Sequence, residues 1–261
     1  MMIGAVKRIL DVIAPETDWT WLQRMCANLK TVARPSRDKF AHAVTPEQMF
    51  DLGISMMNEA EDKEIRLHPY VSTKARDGLI IAMLISCPVR IANLAEIEIG
   101  RHLLFDTDHY WLAFTEVETK TGKEYKSDLP PSLTSRIDWY LNIHRPRLLA
   151  LGNGSATRRL WIDREGKPMS EAAIRTQIEN NSRKEFGKRV WPHLFRTIAV
   201  TGLVDEAPEQ IGIAPDLLGH TNDQTFRKYY LLATGTRAHQ AVQATILQGR
   251  AEALRRLRYG D

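Results

Sequence analysis

The stretch from His193 to Tyr230 constrains this chain more than any other, because its polar residues recur at spacings that suit a catalytic site. His193 and Arg196 stand three residues apart at the start of an apolar run with helical periodicity. Residues i and i+3 share one face of a helix, so we expect the imidazole and the guanidinium to point into the same space. His220 follows a Leu-Leu-Gly sequence, and Tyr229 comes nine residues after His220.

These side chains suit a reaction at an anion. Two histidines, an arginine and a tyrosine, with no Asp or Glu fixed among them, make a poor metal site and a good site for an anion that a phenol attacks. A guanidinium forms bidentate hydrogen bonds to phosphate and does not lose its charge.

The ordered set of motifs points to a family. H-x-x-R, then L-L-G-H, then a tyrosine nine residues after the second histidine resembles the C-terminal half of a tyrosine recombinase of the phage integrase family. H-x-x-R alone is common by chance, whereas the ordered set with its last spacing is specific. The resemblance covers roughly residues 45 to 235.

The resemblance implies a mainly α-helical catalytic domain with a small three-stranded antiparallel sheet, which we expect over residues 45–261. In the family a helical DNA-clamping domain precedes the catalytic domain. Residues 1–44 hold two amphipathic segments, at 3–13 and 18–33, followed by a polar linker. We therefore expect residues 1–44 to be a helical remnant of this core-binding domain.

Caps and periodicity predict the elements of the catalytic part. Thr45-Pro46-Glu47 is a helix start, with an N-cap, a first-turn proline and an acid at the positive end of the dipole. Further helices are predicted at 72–86, 131–144, 170–186 and 236–258. Branched and aromatic residues predict strands at 97–105, 109–117 and 124–129, and at most a short strand at 160–162.

Arg90 follows directly after the apolar helix predicted at 72–86 and precedes an Ile-Ala-Asn-Leu sequence. This is similar to the family's first arginine motif. The family usually has an acidic residue where Asn93 stands, so the usual carboxylate is missing from the pattern. Alone, Arg90 would be interpreted as a surface arginine at a helix boundary; the downstream motifs favour a phosphate-binding arginine.

Lys120 lies in the predicted turn between the second and third strands and resembles the family's β-hairpin lysine. Lysine is commonplace in hairpin turns, and Lys123 and Lys126 are close rivals. We choose Lys120 because it opens the K-T-G turn.

The resemblance implies a role for each candidate site residue in breaking a DNA phosphodiester. The roles fall to Tyr229 as nucleophile, Arg90 and Arg196 as ligands of the non-bridging oxygens, Lys120 as acid to the 5′ oxygen, His193 as proton acceptor or orienter, and His220 as phosphate donor.

Tyr230 is a competing nucleophile. Neighbouring residues on a helix point about 100° apart, so only one of the two tyrosines reaches the phosphate. The spacing from His220 favours Tyr229.

The predicted activity is site-specific cleavage and rejoining of double-stranded DNA through a 3′-phosphotyrosyl intermediate, by a homotetramer on synapsed sites. Fixed cations would neutralise the developing charge, so we expect no metal, no cofactor and no small-molecule substrate. Two alternatives remain: strand rotation as in a type IB topoisomerase, and a DNA-binding protein of the same fold without autonomous strand exchange.

Composition excludes several other classes. Cys26 and Cys87 are too few for a disulfide framework or a zinc site, which favours a reducing cytoplasm, with the protein on the nucleoid when bound to DNA. The longest uncharged apolar run, Gly78 to Val89, is too short to span a membrane, so no membrane partner is expected. Net charge is only +4, but residues 183–196 are locally basic, as in a phosphate-binding footprint.

Overall fold

The computed structural model describes residues 2–32, 44–62, 69–152 and 156–206. The chain divides into two compact units, Met1–Ala41 and His42–Asp261. The first unit contains helices α1 (Met2–Ile13) and α2 (Thr20–Val32). Their bounds agree to within two residues with the two amphipathic segments predicted at 3–13 and 18–33.

The core of the second unit is built on two helices, α3 (Pro46–Asp62) and α4 (Pro69–Ser86). Thr45 and Gln48 cap α3 reciprocally: Thr45 Oγ1 accepts from Gln48 N at 3.2 Å and Gln48 Oε1 accepts from Thr45 N at 2.9 Å. The two helices meet backbone to backbone, because a Cβ added to Gly53 would lie 2.7 Å from Gly78 O. Most of α4 is buried, which confirms the predicted core helix.

One antiparallel sheet has the order β1 (Leu103–Asp106), β2 (His109–Phe114), β3 (Tyr125–Asp128). The strands are shorter than predicted. Residues 98 and 99 make only isolated bridges, and residues 100–102 form a turn in which Gly100 has φ 74°. Residues 116–118 form a 3-10 turn. The segment predicted as at most a short strand at 160–162 makes one isolated bridge, from Ile162 to Pro168, in the described part of the chain.

The remaining helices pack around α4 and the sheet. They are α5 (Ile91–Ala95), α6 (Thr134–Trp139), α7 (Arg145–Leu149), α8 (Glu171–Phe186) and α9 (Pro192–Glu206). The helix predicted at 131–144 runs on to Leu149, through a π-helical segment, Tyr140–His144, between α6 and α7. The helix predicted at 170–186 is confirmed: Ser170 Oγ accepts from Ala173 N at 3.2 Å, and Gly187, at φ 67°, ends it.

The mainly α-helical class with one small antiparallel sheet is confirmed. The helix predicted at 236–258 lies outside the described residues. No helix in the described ranges combines the length and apolar character needed to cross a membrane.

Candidate active site

Arg90 is positioned by the end of the buried helix α4. The segment between them, Cys87 to Val89, is buried, and Arg90 then opens α5 in an extended conformation with φ −70° and ψ 148°. Arg90 itself is half-buried, and this burial lowers the pKa of its guanidinium. The sequence motif therefore corresponds to a guanidinium held at the end of a core helix and not to a freely solvated surface arginine.

Arg196 reaches the same region from α9. Its side chain is only 6% exposed, and its neighbours Leu194, Phe195 and Ile198 belong to the core. Arg196 Nη1 donates a hydrogen bond to the main-chain oxygen of Pro88 at 2.7 Å. Because a buried cation requires polar partners, this bond helps to hold the guanidinium beside the Arg90 segment.

The two arginines line one narrow cleft of about 20 Å³, which is room for about one water molecule. Burial and, next, the positive charge of Arg90 lower the pKa of Arg196 to about 10, so Arg196 stays charged at neutral pH. Two guanidiniums that repel each other favour an anion between them. Residues of β2, of the β2–β3 turn and of the start of β3 complete the lining: Phe114, Thr119, Thr121, Lys123, Glu124 and Tyr125.

The predicted lysine turn lies at this cleft. Thr119 Oγ1 accepts from Lys123 N at 3.1 Å and donates to Lys123 O at 2.7 Å, which closes the turn, and Gly122 adopts φ 63° within it. Lys120 and Lys123 are both exposed on the turn, and Lys123 also lines the cleft. Lys120 as the acid stays a prediction, with Lys123 as its rival on the same turn.

His193 lies in the first turn of α9, one helical turn before Arg196, as the H-x-x-R spacing predicted. Its side chain is exposed. His220 and Tyr229 lie outside the described residues, so their roles stay predictions.

A hydrogen-bonded cluster around Glu118, which the sequence reasoning missed, supports the lysine turn. Thr115 and Glu118 form a capping box, and Glu118 Oε1 accepts from Arg101 Nη2 at 2.5 Å and pairs with His102 Nε2 at 3.0 Å. The bond to His102, followed by that from the Thr115 backbone, lowers the pKa of Glu118 to about 2. The T-x-x-E sequence at 115–118 is a capping-box signature that could have revealed the turn.

Tyr125 is a cleft residue that the sequence reasoning missed. It opens β3 and lines the cleft with both arginines. An aromatic residue in a predicted strand is ordinary, so nothing in the sequence distinguished it.

A larger cavity of about 610 Å³ lies beside the N-terminal half of α4, away from the C-terminal end that leads to Arg90. Four of its charged groups form two pairs: Lys74 with Glu59, and Arg76 Nη2 with Asp77 Oδ1 at 2.6 Å. Arg76 Nη1 also donates to Ile162 O at 2.7 Å. These charged side chains connect α4 to neighbouring segments, so we assign them a structural role.

Comparison with known proteins decides the family. Residues 55–243 match the model described as the phage integrase family. The chain belongs to the phage integrase family. The resemblance identified from the ordered motifs is thereby confirmed.

Curated proteins similar to this chain include the tyrosine recombinase XerD of Staphylococcus saprophyticus and that of Staphylococcus aureus, each 26% identical over 155 residues. The match covers 59% of this chain and 49% of each relative, so the chain spans about half the length of the curated relatives it matches.

Solved structures show the same fold. The XerH site-specific recombinase bound to palindromic difH substrate, in a post-cleavage complex, has a TM-score of 0.55 and 18% identity, over 75% of this chain and 51% of that one. The XerA recombinase has a TM-score of 0.53 and 16% identity, over 92% of this chain and 81% of that one. At these identities the likeness concerns the fold.

Proposed function

We propose that this chain cleaves and rejoins DNA strands at specific sites through a 3′-phosphotyrosyl bond to Tyr229. The observation that carries the proposal is the pairing of Arg90 and Arg196 in one half-buried cleft. A phosphodiester under attack gains charge on its non-bridging oxygens, and donors already fixed by the fold stabilise that charge without reorganisation. Membership of the phage integrase family supports the same reaction.

The reaction needs a nucleophile, an anion pocket and an acid. The phenolic oxygen of Tyr229 would attack phosphorus and form the bond to the 3′ phosphate. The bond to the 5′ oxygen breaks, and that oxygen takes a proton from the lysine of the β2–β3 turn. A free 5′ hydroxyl, from the same or another strand, reverses the step and releases the tyrosine. His193 would accept or orient the proton of Tyr229, and His220 would donate to the phosphate.

Double-stranded DNA is the proposed partner. The XerH structures are described as bound to difH substrate, before and after cleavage. In this chain residues 183–196 are basic, and Arg183, Lys184, Lys188 and Arg189 are exposed beside the start of α9. Exchange between two duplexes requires four strand cleavages, so we propose a homotetramer on synapsed sites.

The deciding experiment traps the covalent intermediate on a nicked DNA substrate whose short cleaved fragment diffuses away. The protein should yield a denaturant-resistant protein–DNA band, and Tyr229→Phe should abolish it while DNA binding persists. Tyr230→Phe is the matched control and should retain the band. If Tyr230→Phe loses the band and Tyr229→Phe keeps it, the nucleophile is the neighbouring tyrosine.

Two other outcomes separate the alternative functions. Binding to DNA without any adduct from the unsubstituted protein would identify a DNA-binding protein of this fold. Adduct formation with relaxation of any supercoiled plasmid, without site preference, would identify topoisomerase-like strand rotation.

A further inference from the structure

The hydroxyl of Tyr125 is buried beside the arginine pair, near Ser127 and Cys87, and forms no hydrogen bond of normal geometry with the residues that the structure describes. Tyr125 pairs with Phe114 across β2 and β3, and their ring centroids are 6.1 Å apart. A buried hydroxyl without a well-formed hydrogen bond is costly, so this donor is available to a ligand at the cleft.

The polar groups next to this hydroxyl are already paired with one another. Cys87 Sγ and Ser127 Oγ are 3.1 Å apart, and Cys87 Sγ lies 3.5 Å from Asp128 O. These contacts attach β3 to the residue that follows α4, three positions before Arg90. One short buried segment therefore fixes Tyr125 relative to Arg90.

We propose that Tyr125 is a third ligand of the scissile phosphate, whose hydroxyl donates a hydrogen bond to a non-bridging oxygen held between Arg90 and Arg196. This inference rests on the proposed function, because it requires a phosphodiester at the cleft. The cleft, at about 20 Å³, admits one water-sized group. A single phosphate oxygen meets that limit, with the rest of the phosphate at the mouth.

A phenol suits this position better than a further cation. Arg90 and Arg196 carry like charges in one cleft, and after burial the charge of Arg90 is the next cause of the lowered pKa of Arg196. A neutral donor adds a hydrogen bond without adding charge. Burial and the nearby Cys87 thiol raise the pKa of Tyr125 well above its ordinary value. The hydroxyl therefore keeps its proton and donates, and it is unsuited to act as the nucleophile.

The test compares Tyr125→Phe with a matched control, Tyr110→Phe. Tyr110 lies on the same sheet and its hydroxyl donates to Asp138 Oδ1 at 2.7 Å. Single-turnover adduct formation is measured with the full chain on the nicked substrate. The scissile position carries either the natural phosphate or one of the two stereoisomers of a phosphorothioate, in which sulfur replaces a single non-bridging oxygen and accepts hydrogen bonds poorly.

On the natural phosphate, Tyr125→Phe should lower the rate on the order of tenfold to a hundredfold, with DNA affinity unchanged. On the stereoisomer whose sulfur faces Tyr125, the substitution should have little further effect, because the same bond is already lost. Tyr110→Phe should cleave all three substrates like the unsubstituted protein. Loss of an unpaired hydroxyl should not lower the melting temperature of Tyr125→Phe, whereas Tyr110→Phe loses a bond and should melt earlier.

Two results would overturn the inference while leaving the proposed function intact. The first is an unchanged rate for Tyr125→Phe on natural phosphate. The second is a defect of equal size on all three substrates, which would mean that the hydroxyl pairs with another part of the protein. By contrast, no adduct from the unsubstituted protein contradicts the proposed function itself and removes the basis of the inference.

Discussion

Asn93 Nδ2 donates a hydrogen bond to the main-chain oxygen of Glu118 at 2.8 Å. Asn93 belongs to α5, which begins directly after Arg90, and Glu118 directly precedes the turn that carries Lys120. The bond therefore ties the first arginine to the lysine turn. The carboxylate that the family usually has at this position cannot donate such a bond, so the departure from the family pattern corresponds to a different local connection.

Asn93→Asp should weaken both the fold and the reaction. The ionised carboxylate loses the bond and faces a carbonyl oxygen, so we expect a loss of about 1–3 kcal/mol in the free energy of unfolding. Urea denaturation measures this loss, and single-turnover cleavage should fall with it. Asn180→Asp, which makes the same change at an exposed position of α8, is the control. Wild-type stability and rate in Asn93→Asp would show that the bond is dispensable.

Replacing either cleft arginine by lysine should slow cleavage on the order of a hundredfold or more, because a point charge cannot reproduce the planar fork that holds a phosphate. Arg164→Lys, at an exposed position, should leave the rate unchanged. The measurement is single-turnover adduct formation at saturating protein. EDTA should have no effect, since fixed guanidiniums supply the positive charge; a strict requirement for a divalent ion would contradict this mechanism.

The two lysines of the β2–β3 turn can be separated by the chemistry of the leaving group. Removing the acid should slow cleavage of a normal 5′ oxygen but not of a 5′ sulfur, because a thiolate leaves without a proton. Lys120→Ala should show this rescue and Lys123→Ala should not. The opposite pattern would assign the acid to Lys123, which lines the cleft.

Glu118 should make stability depend on pH in the acid range. Its bonds to His102 and the Thr115 backbone lower its pKa from 4.5 to about 2, so the unfolded chain binds the proton more tightly. The stabilisation is complete above about pH 4.5 and is lost as pH falls towards 2. Glu118→Gln should therefore be less stable than the unsubstituted protein near pH 7 and approach it in acid, by urea denaturation. Glu116→Gln, exposed in the same turn, should show no such convergence.

Local signals in the sequence predicted much of the helical architecture. Ser170 caps α8 and Thr45 caps α3 through bonds that depend only on residues three positions apart, so sequence reveals them directly. The first two strands were predicted too long because branched and aromatic residues continue beyond the hydrogen-bonded strand pairs. Gly100 in the left-handed region and the capping box at 115–118 end the strands, and both outweigh β-propensity.

The site was predictable as a set of residue types but not as an arrangement. The motifs identified Arg90 and Arg196, yet burial of Arg196 and its bond to Pro88 depend on packing between distant parts of the chain. Tyr125 and Lys123 line the cleft because of the backbone path of the β2–β3 turn. This path does not follow from the number of residues in the turn.

One acceptor that positions Arg196 is a main-chain oxygen, and this has a consequence for substitutions at position 88. Every amino acid offers the same carbonyl, so exchanging the side chain at position 88 does not by itself remove the bond. What must be preserved is the course of the backbone between Cys87 and Arg90, where Val89 N donates to Cys87 O at 2.7 Å. A side-chain substitution at position 88 or 89 that leaves this backbone course intact should therefore leave the two arginines in the same relative position.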